Sequence, residues 1–288
     1  MLIKSPTVVS ANTNTSASVM PLMGVDFTST PSRRKAITVA HGYLLTNGAV
    51  LLDRFDAISD WPTFEKLLLS KGPWVGAFDF PFSLPRELIE HLGWPLDWAA
   101  LVMHCAELTR SELRLTFKAF CDARPTGRKF AHRAADIPAG SSSSMKWVNP
   151  PVAYMFHEGA RRLLQANITL PAMFEGRSDV FALEAYPGLL ARSITKASYK
   201  SDDKAKQTIE REGARQQIVG AILSGTHHLN NRLIATETQC DLMIKEPSAD
   251  WLDASLCLLQ AGWAANKANC GYGLPHGFDA LEGWIIGA

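Results

Sequence analysis

The stretch that most constrains this chain runs Pro73-Trp-Val-Gly-Ala-Phe-Asp-Phe-Pro81. It opens after Gly72 with a proline, closes on a proline, and is apolar at Trp74, Val75, Ala77, Phe78 and Phe80. A short apolar run between turn signals predicts a strand over 74–80, buried on both faces of a sheet. Its one charged residue, Asp79, falls at the carboxyl end, where open α/β sheets hold their ligands. A second stretch has the same form: Met23-Gly-Val-Asp26-Phe-Thr-Ser-Thr-Pro31. Two hydrophobic strands that each end in aspartate can face one crevice.

The remaining punctuation builds a sheet around these two. Strands are expected at about 22–27, 36–42, 49–52 and 180–185, with a hairpin turn at Asn47-Gly48. Asp60-Trp61-Pro62 opens a helix to about Leu69, with Asp at the cap and Pro early. Helices are expected from Pro85 to Leu92, from Asp97 to Phe120 as one piece or two, and from Pro150 to Ala166. Others follow, from the polar turn 199–204 to Leu223 and from Asp250 to Ala265. Residues 226–249 give no clear signal, and 281–286 is read as a small edge strand. Residues 1–20 are rich in Ser, Thr and Asn and are read as a loosely ordered leader. Residues 21–288 then make one α/β domain, and 121–150 form a basic insertion in it. The chain has 288 residues, enough for one large α/β domain, and a net charge of +1. No run approaches the ~20 apolar residues of a membrane helix. The N-terminus lacks a signal-peptide pattern. Five cysteines without a CxxC pair fit a reducing cytoplasm better than zinc or a disulfide framework.

The late helix begins Asp250-Trp-Leu-Asp253. Residues three apart share a helix face. Capping and the helix dipole account for Asp250. They account less well for Asp253, which is followed by Ala-Ser-Leu-Cys-Leu-Leu, and a buried carboxylate without a partner is expensive. A divalent cation held by Asp26, Asp79 and Asp253, with Asp250 or Glu184 completing the set, supplies that partner. Mg²⁺ or Mn²⁺ suits such oxygen ligands. Two ions ~4 Å apart can activate a water and stabilise the leaving oxygen of a phosphodiester. Glu184, in Leu-Glu-Ala-Tyr-Pro-Gly, reads equally as a ligand and as the partner of an arginine.

Gly24-Val-Asp-Phe-Thr28, Gly76-Ala-Phe-Asp-Phe-Pro-Phe82, Glu184-Ala-Tyr-Pro187, Ser198-Tyr-Lys-Ser-Asp-Asp203 and Asp250-Trp-Leu-Asp-Ala254 together resemble the DUF429 family. The resemblance covers nearly the whole chain from Met20. It implies a ribonuclease H-like mixed sheet, three antiparallel strands followed by parallel ones, flanked by helices with helical insertions. It places strand-end acids at Asp26 and Asp79. Asp250 and Asp253 look like the paired aspartates of Holliday-junction resolvases. The activity it implies is that of a nuclease.

The insertion holds Arg124, Arg128, Lys129, His132, Arg133 and Lys146 with few acids. Such groups suit phosphates, and an equally good reading is a solvated loop. Lys200, Asp202 and Asp203 read either as a helix cap or as a phosphate or metal contact at a helix start. The chain carries no GxxxxGK[ST], GxGxxG or GxSxG motif. Its tryptophans are scattered. The expectation is a metal-dependent nuclease acting on DNA or RNA, with Arg124, Lys129, His132, Arg133, Lys146 and Lys200 holding the substrate. Two other functions fit the same sheet. One is an actin-like or sugar-kinase-like ATP-binding phosphotransferase, which would need glycine-rich phosphate turns that the stretch after Asp26 lacks. The other is a non-catalytic nucleic-acid-binding module. Oligomeric state is not readable from the sequence.

Overall fold

Alternation along the central strands sends side chains to two separate cores. The computed structural model of the chain describes residues 19–201 and 203–288. β1 (Met20–Asp26) and β4 (Trp74–Phe78) are parallel neighbours. Met23, Val25, Trp74 and Phe78 pack into one core, and Leu22, Val75 and Ala77 into the other. Two buried faces are why both strands read as unbroken apolar runs.

β2 (Ile37–Leu44) and β3 (Val50–Ile58) continue from β1 as an antiparallel pair of hairpins. Gly48, with φ of 79°, turns the chain between them, and Asn47 Oδ1 accepts from Ala49 N at 3.0 Å. β6 (Arg177–Glu184) lies parallel to β4 on its other side. Two-residue strands close the edges: β5 (Ile168–Thr169) beside β6, and β7 (Leu233–Ile234) beside β3. The sheet is mixed and seven-stranded, in the order β5-β6-β4-β1-β2-β3-β7.

The helices on the first core are α1 (Trp61–Leu68), α2 (Arg86–His91), α3 (Trp98–Glu107), α4 (Arg110–Asp122) and α6 (Val152–Gln165). A four-residue helix, α5 (Asp136–Ala139), interrupts the insertion. The other face carries α7 (Pro187–Ile194), α8 (Ile209–Ser224), α9 (Glu237–Lys245) and α10 (Asp250–Ala265).

Several expectations shift. The expected leader lies, but for its last two residues, outside the described residues, as does Asp202. β4 stops at Phe78: Asp79 N still completes the ladder on Val25 O at 2.9 Å, but Phe80 N closes back on Phe78 O. The 97–120 segment is two helices, the second opened by a Thr109–Glu112 capping box. The 281–286 tail makes a single bridge, Ile285 to Glu184, and no strand. Asp250 is the first helical residue of α10, not its cap: Ala249 holds that place with φ of 62°.

α10 reaches the site because glycine lets it. A Cβ on Gly24 would stand 2.1 Å from Leu258 N and 2.2 Å from Ala254 O. The helix therefore lies directly on the β1 backbone. Gly24→Ala is expected to cost about 3 kcal/mol, the upper end for overpacking, because the obstructing atoms are backbone. Urea titration checks it, and a loss under ~0.5 kcal/mol would mean the contact is soft.

Candidate active site

Asp26 and Asp79 leave the carboxyl ends of adjacent parallel strands and line one cavity of about 570 Å³. Glu184, from the end of β6, and Asp250, from the start of α10, line it too, with Lys35, Arg133 and Lys200. Asp253 does not line the cavity. It is 1% exposed and lies one helical turn further along α10.

The acids are held differently. Asp253 is fully engaged: Tyr199 Oη donates to its Oδ1 at 2.7 Å and Lys200 Nζ to its Oδ2. The 199–201 segment is pinned in turn by Arg215 Nη1 to Tyr199 O and Ser201 N to Pro247 O. Asp250 accepts from Lys35 Nζ at 2.8 Å. Glu184 accepts both ends of the Arg133 fork, at 2.6 and 2.7 Å, and the Phe82 N–H. Asp26 and Asp79 accept no hydrogen bond from the described residues. Asp26 is nine-tenths buried, and without a donor among the described residues its carboxylate is left to the cavity.

The electrostatics follow. Burial first, then Asp253 and Asp250, hold the Asp26 carboxyl well above the usual carboxylate range; Lys200 pulls the other way. Burial pushes Asp79 up to about 7, opposed by Lys200 and aided by Asp253 and Glu184. Burial works to lower the Arg133 guanidinium, but Glu184 and Asp136 outweigh it and raise it above its ordinary value.

Two unpartnered carboxylates beside an open cavity fit a hard divalent ion. Mg²⁺ commonly takes only one or two carboxylates and keeps several waters. Among the described residues no three His, Cys, Asp or Glu side chains come together as a metal-holding set. The fit is therefore to a water-rich site on Asp26 and Asp79, with Asp253 acting through Tyr199 and Lys200.

The basic insertion divides. Arg133 is 2% exposed and joins Glu184, Asp136 and the Glu282 carbonyl. Arg124 turns to Glu87 and the Arg128 carbonyl and stacks 4.7 Å over Phe120. Lys129 and His132 are exposed and Lys146 is half-buried, and none of the three lines the cavity. Of the six expected substrate-binding residues, the cavity brings together Arg133 and Lys200. Loss of Arg133 leaves two acids buried without their cation. Arg133→Met is expected to cost about 3–5 kcal/mol, read by denaturant unfolding, and a cost below 1 kcal/mol would contradict this account.

Lys35 is the cationic side chain that the sequence did not single out. The register carries its signal: β1 and β2 are antiparallel with Asp26 opposite Thr38, so a residue just before β2 stands beside the end of β1. Arg110 steadies that connection, donating to Thr30 Oγ1 at 3.1 Å while held by Glu158. No family model, curated protein or solved structure matches the chain. Among the described residues no helix is long and apolar enough to cross a membrane.

Proposed function

We propose that the protein is a divalent-metal-dependent nuclease with a ribonuclease H-like fold, hydrolysing phosphodiester bonds in this cavity. The observation that carries the reading is the pair Asp26 and Asp79: strand-end carboxylates on adjacent parallel strands, without a hydrogen-bond partner among the described residues, one of them deeply buried. The strand order β3-β2-β1-β4-β6 supports it, with the first three antiparallel and the last two parallel to β1. So does a late helix bringing Asp250 and Asp253 to the same end of β1.

Asp26 and Asp79 would hold Mg²⁺ or Mn²⁺. The ion when bound supplies Lewis-acid polarisation of the phosphoryl group and lowers the pKa of a bound water. The chain's own groups do the rest. Asp253, fixed by Tyr199, positions the Lys200 ammonium at the cavity wall. Lys200 and Lys35 offset the acid charge and stand where a phosphate oxygen would meet them. Arg133 locks Glu184 beside Asp79 and so fixes the floor of the cavity.

Labelled single-stranded, duplex and branched DNA and RNA, incubated with Mg²⁺, Mn²⁺ or EDTA, test the proposal. Products are expected with the metals, none with EDTA, and none with Asp26→Asn or Asp79→Asn. Absence of any metal-dependent product, with the protein folded by circular dichroism, would overturn it. The ATP-binding alternative lacks support, since residues 27–36, which leave β1, contain no glycine to wrap a phosphate chain.

A further inference from the structure

Resting on the metal-dependent reading of this site, we infer that its substrate is a phosphodiester flanked by an unpaired nucleotide. The base and sugar of that nucleotide occupy the cavity, and continuous duplex is excluded.

Volume is the first argument. About 570 Å³ falls within the roughly 300–1,000 Å³ of sites that enclose one small molecule. It accommodates a nucleotide unit but not a stacked, paired column of bases.

The wall is the second argument. The same cavity is lined by Phe80, Pro151, Val152, Met155, Tyr186 and Ile285. An apolar lining with a few convergent polar groups is the make-up of a pocket for an organic moiety. Tyr186 is held from behind, with Arg192 stacked 5.0 Å from its ring centroid and donating to its hydroxyl. A fixed aromatic ring is a stacking surface for a base. From the insertion, Arg133, Ser141, Ser142 and Pro150 line the cavity, whereas Arg124, Lys129 and His132 do not. The insertion thus brings one cation to the crevice, and that one is tied to Glu184 and Asp136.

Charge is the third argument. A site that tracks a duplex backbone neutralises many phosphates with many cations. Among the described lining residues four acids (Asp26, Asp79, Glu184, Asp250) stand with three cations (Lys35, Arg133, Lys200), and each cation is already paired with an acid: Lys35 with Asp250, Arg133 with Glu184 and Asp136, and Lys200 with Asp253. A divalent ion on Asp26 and Asp79, rather than a row of cations, would then be what meets the phosphodiester. A paired base would first have to be unstacked and flipped out of its helix, whereas an unpaired one enters without that cost.

Three substrates separate the outcomes: the p-nitrophenyl ester of thymidine 5′-monophosphate, a labelled single strand, and the same sequence as a fully paired duplex closed by hairpins at both ends. DNA and RNA forms are assayed in Mn²⁺, with Asp26→Asn as the control. Hydrolysis of the thymidine ester is expected, with the single strand cut about a hundredfold faster than the paired stem. That factor corresponds to about 2.7 kcal/mol at ~1.36 kcal/mol per tenfold. A single-strand preference of tenfold or less, with metal-dependent cleavage present, overturns the inference and leaves the nuclease reading intact. Cleavage of none of the three overturns the nuclease reading itself.

Discussion

Asp26→Asn is expected to lower metal-dependent cleavage about a thousandfold and, in EDTA at pH 8, to raise the thermal midpoint. The two effects have one cause. The Asp26 carboxylate lies nine-tenths buried, accepts no hydrogen bond from the described residues, and shares its surroundings with Asp253, Asp250 and Asp79. Without a cation, folding must either desolvate a charge among charges or hold a proton against the solution. Asparagine keeps the shape and removes the charge. A gain of about 1 kcal/mol or more is expected, and each kcal/mol corresponds to roughly 2–4 °C in a large domain. With Mg²⁺ present the order reverses, because the wild type gains binding free energy that the variant cannot. The loss of activity follows from the several kcal/mol that a metal supplies to a phosphoryl transition state, which is about a thousandfold at ~1.36 kcal/mol per decade. Calorimetric melts with and without Mg²⁺, beside a cleavage assay, check both halves. A variant that melts lower in EDTA would mean that Asp26 is structural, and one that keeps its activity would remove it from the site.

This opposition between stability and chemistry is also why Asp26 and Asp79 were legible in the sequence. A lone acid at the end of an otherwise apolar strand breaks the local pattern, and nothing within a few residues explains it. Asp253 was legible as a buried carboxylate for the same reason, but its partners were not. Tyr199 and Lys200 lie more than fifty residues away and reach it through the segment that Arg215 and the Pro247 carbonyl pin in place. The Arg133–Glu184 fork is another pairing that only the tertiary fold creates. Charge runs say nothing of direction. The insertion reads as one basic loop, yet its arginine nearest the acids is the one turned fully inward, while Lys129 and His132 face solvent. The sheet's central five strands each carry an apolar stretch that could be read, although β3 runs on through Asp53, Arg54 and Asp56 to Ile58, well past the expected 49–52. Its edges, β5 and β7, are two residues each and have no period to detect. The Lys35–Asp250 contact needed both the β1–β2 register and the approach of α10, which Gly24 permits but does not announce.

The metal-free protein is expected to lose stability as pH rises from 4 to 8 through the Asp79 carboxyl, and Mg²⁺ is expected to restore it. The sign follows from where the proton is held more tightly. Unfolded, an aspartate titrates near ~3.9; folded, burial pushes Asp79 up to about 7. Its contribution is therefore complete below the unfolded value and is lost as pH rises through the folded one. The amount is about 4 kcal/mol at ~1.36 kcal/mol per pKa unit, and it is shared with Asp26, since two interacting carboxyls titrate as a pair. Other acids act with the opposite sign: Asp279, lowered by its hydrogen bond to Arg86, contributes stability that is lost as pH falls. The difference between wild type and Asp79→Asn removes that background. That difference is expected to favour the variant increasingly from pH 4 to 8 in EDTA. A divalent ion requires the deprotonated carboxylates, so binding below pH 7 must release the protons held there. Titration calorimetry at pH 6 in two buffers of different ionisation enthalpy is expected to show release of one to two protons per ion bound. Affinity should rise about tenfold per pH unit for each proton released, the Asp79 part levelling above pH 7. Metal binding with no proton release at pH 6 would place the ion elsewhere than on Asp26 and Asp79. A flat wild-type-minus-variant profile would show that Asp79 is solvated well enough to keep its ordinary value.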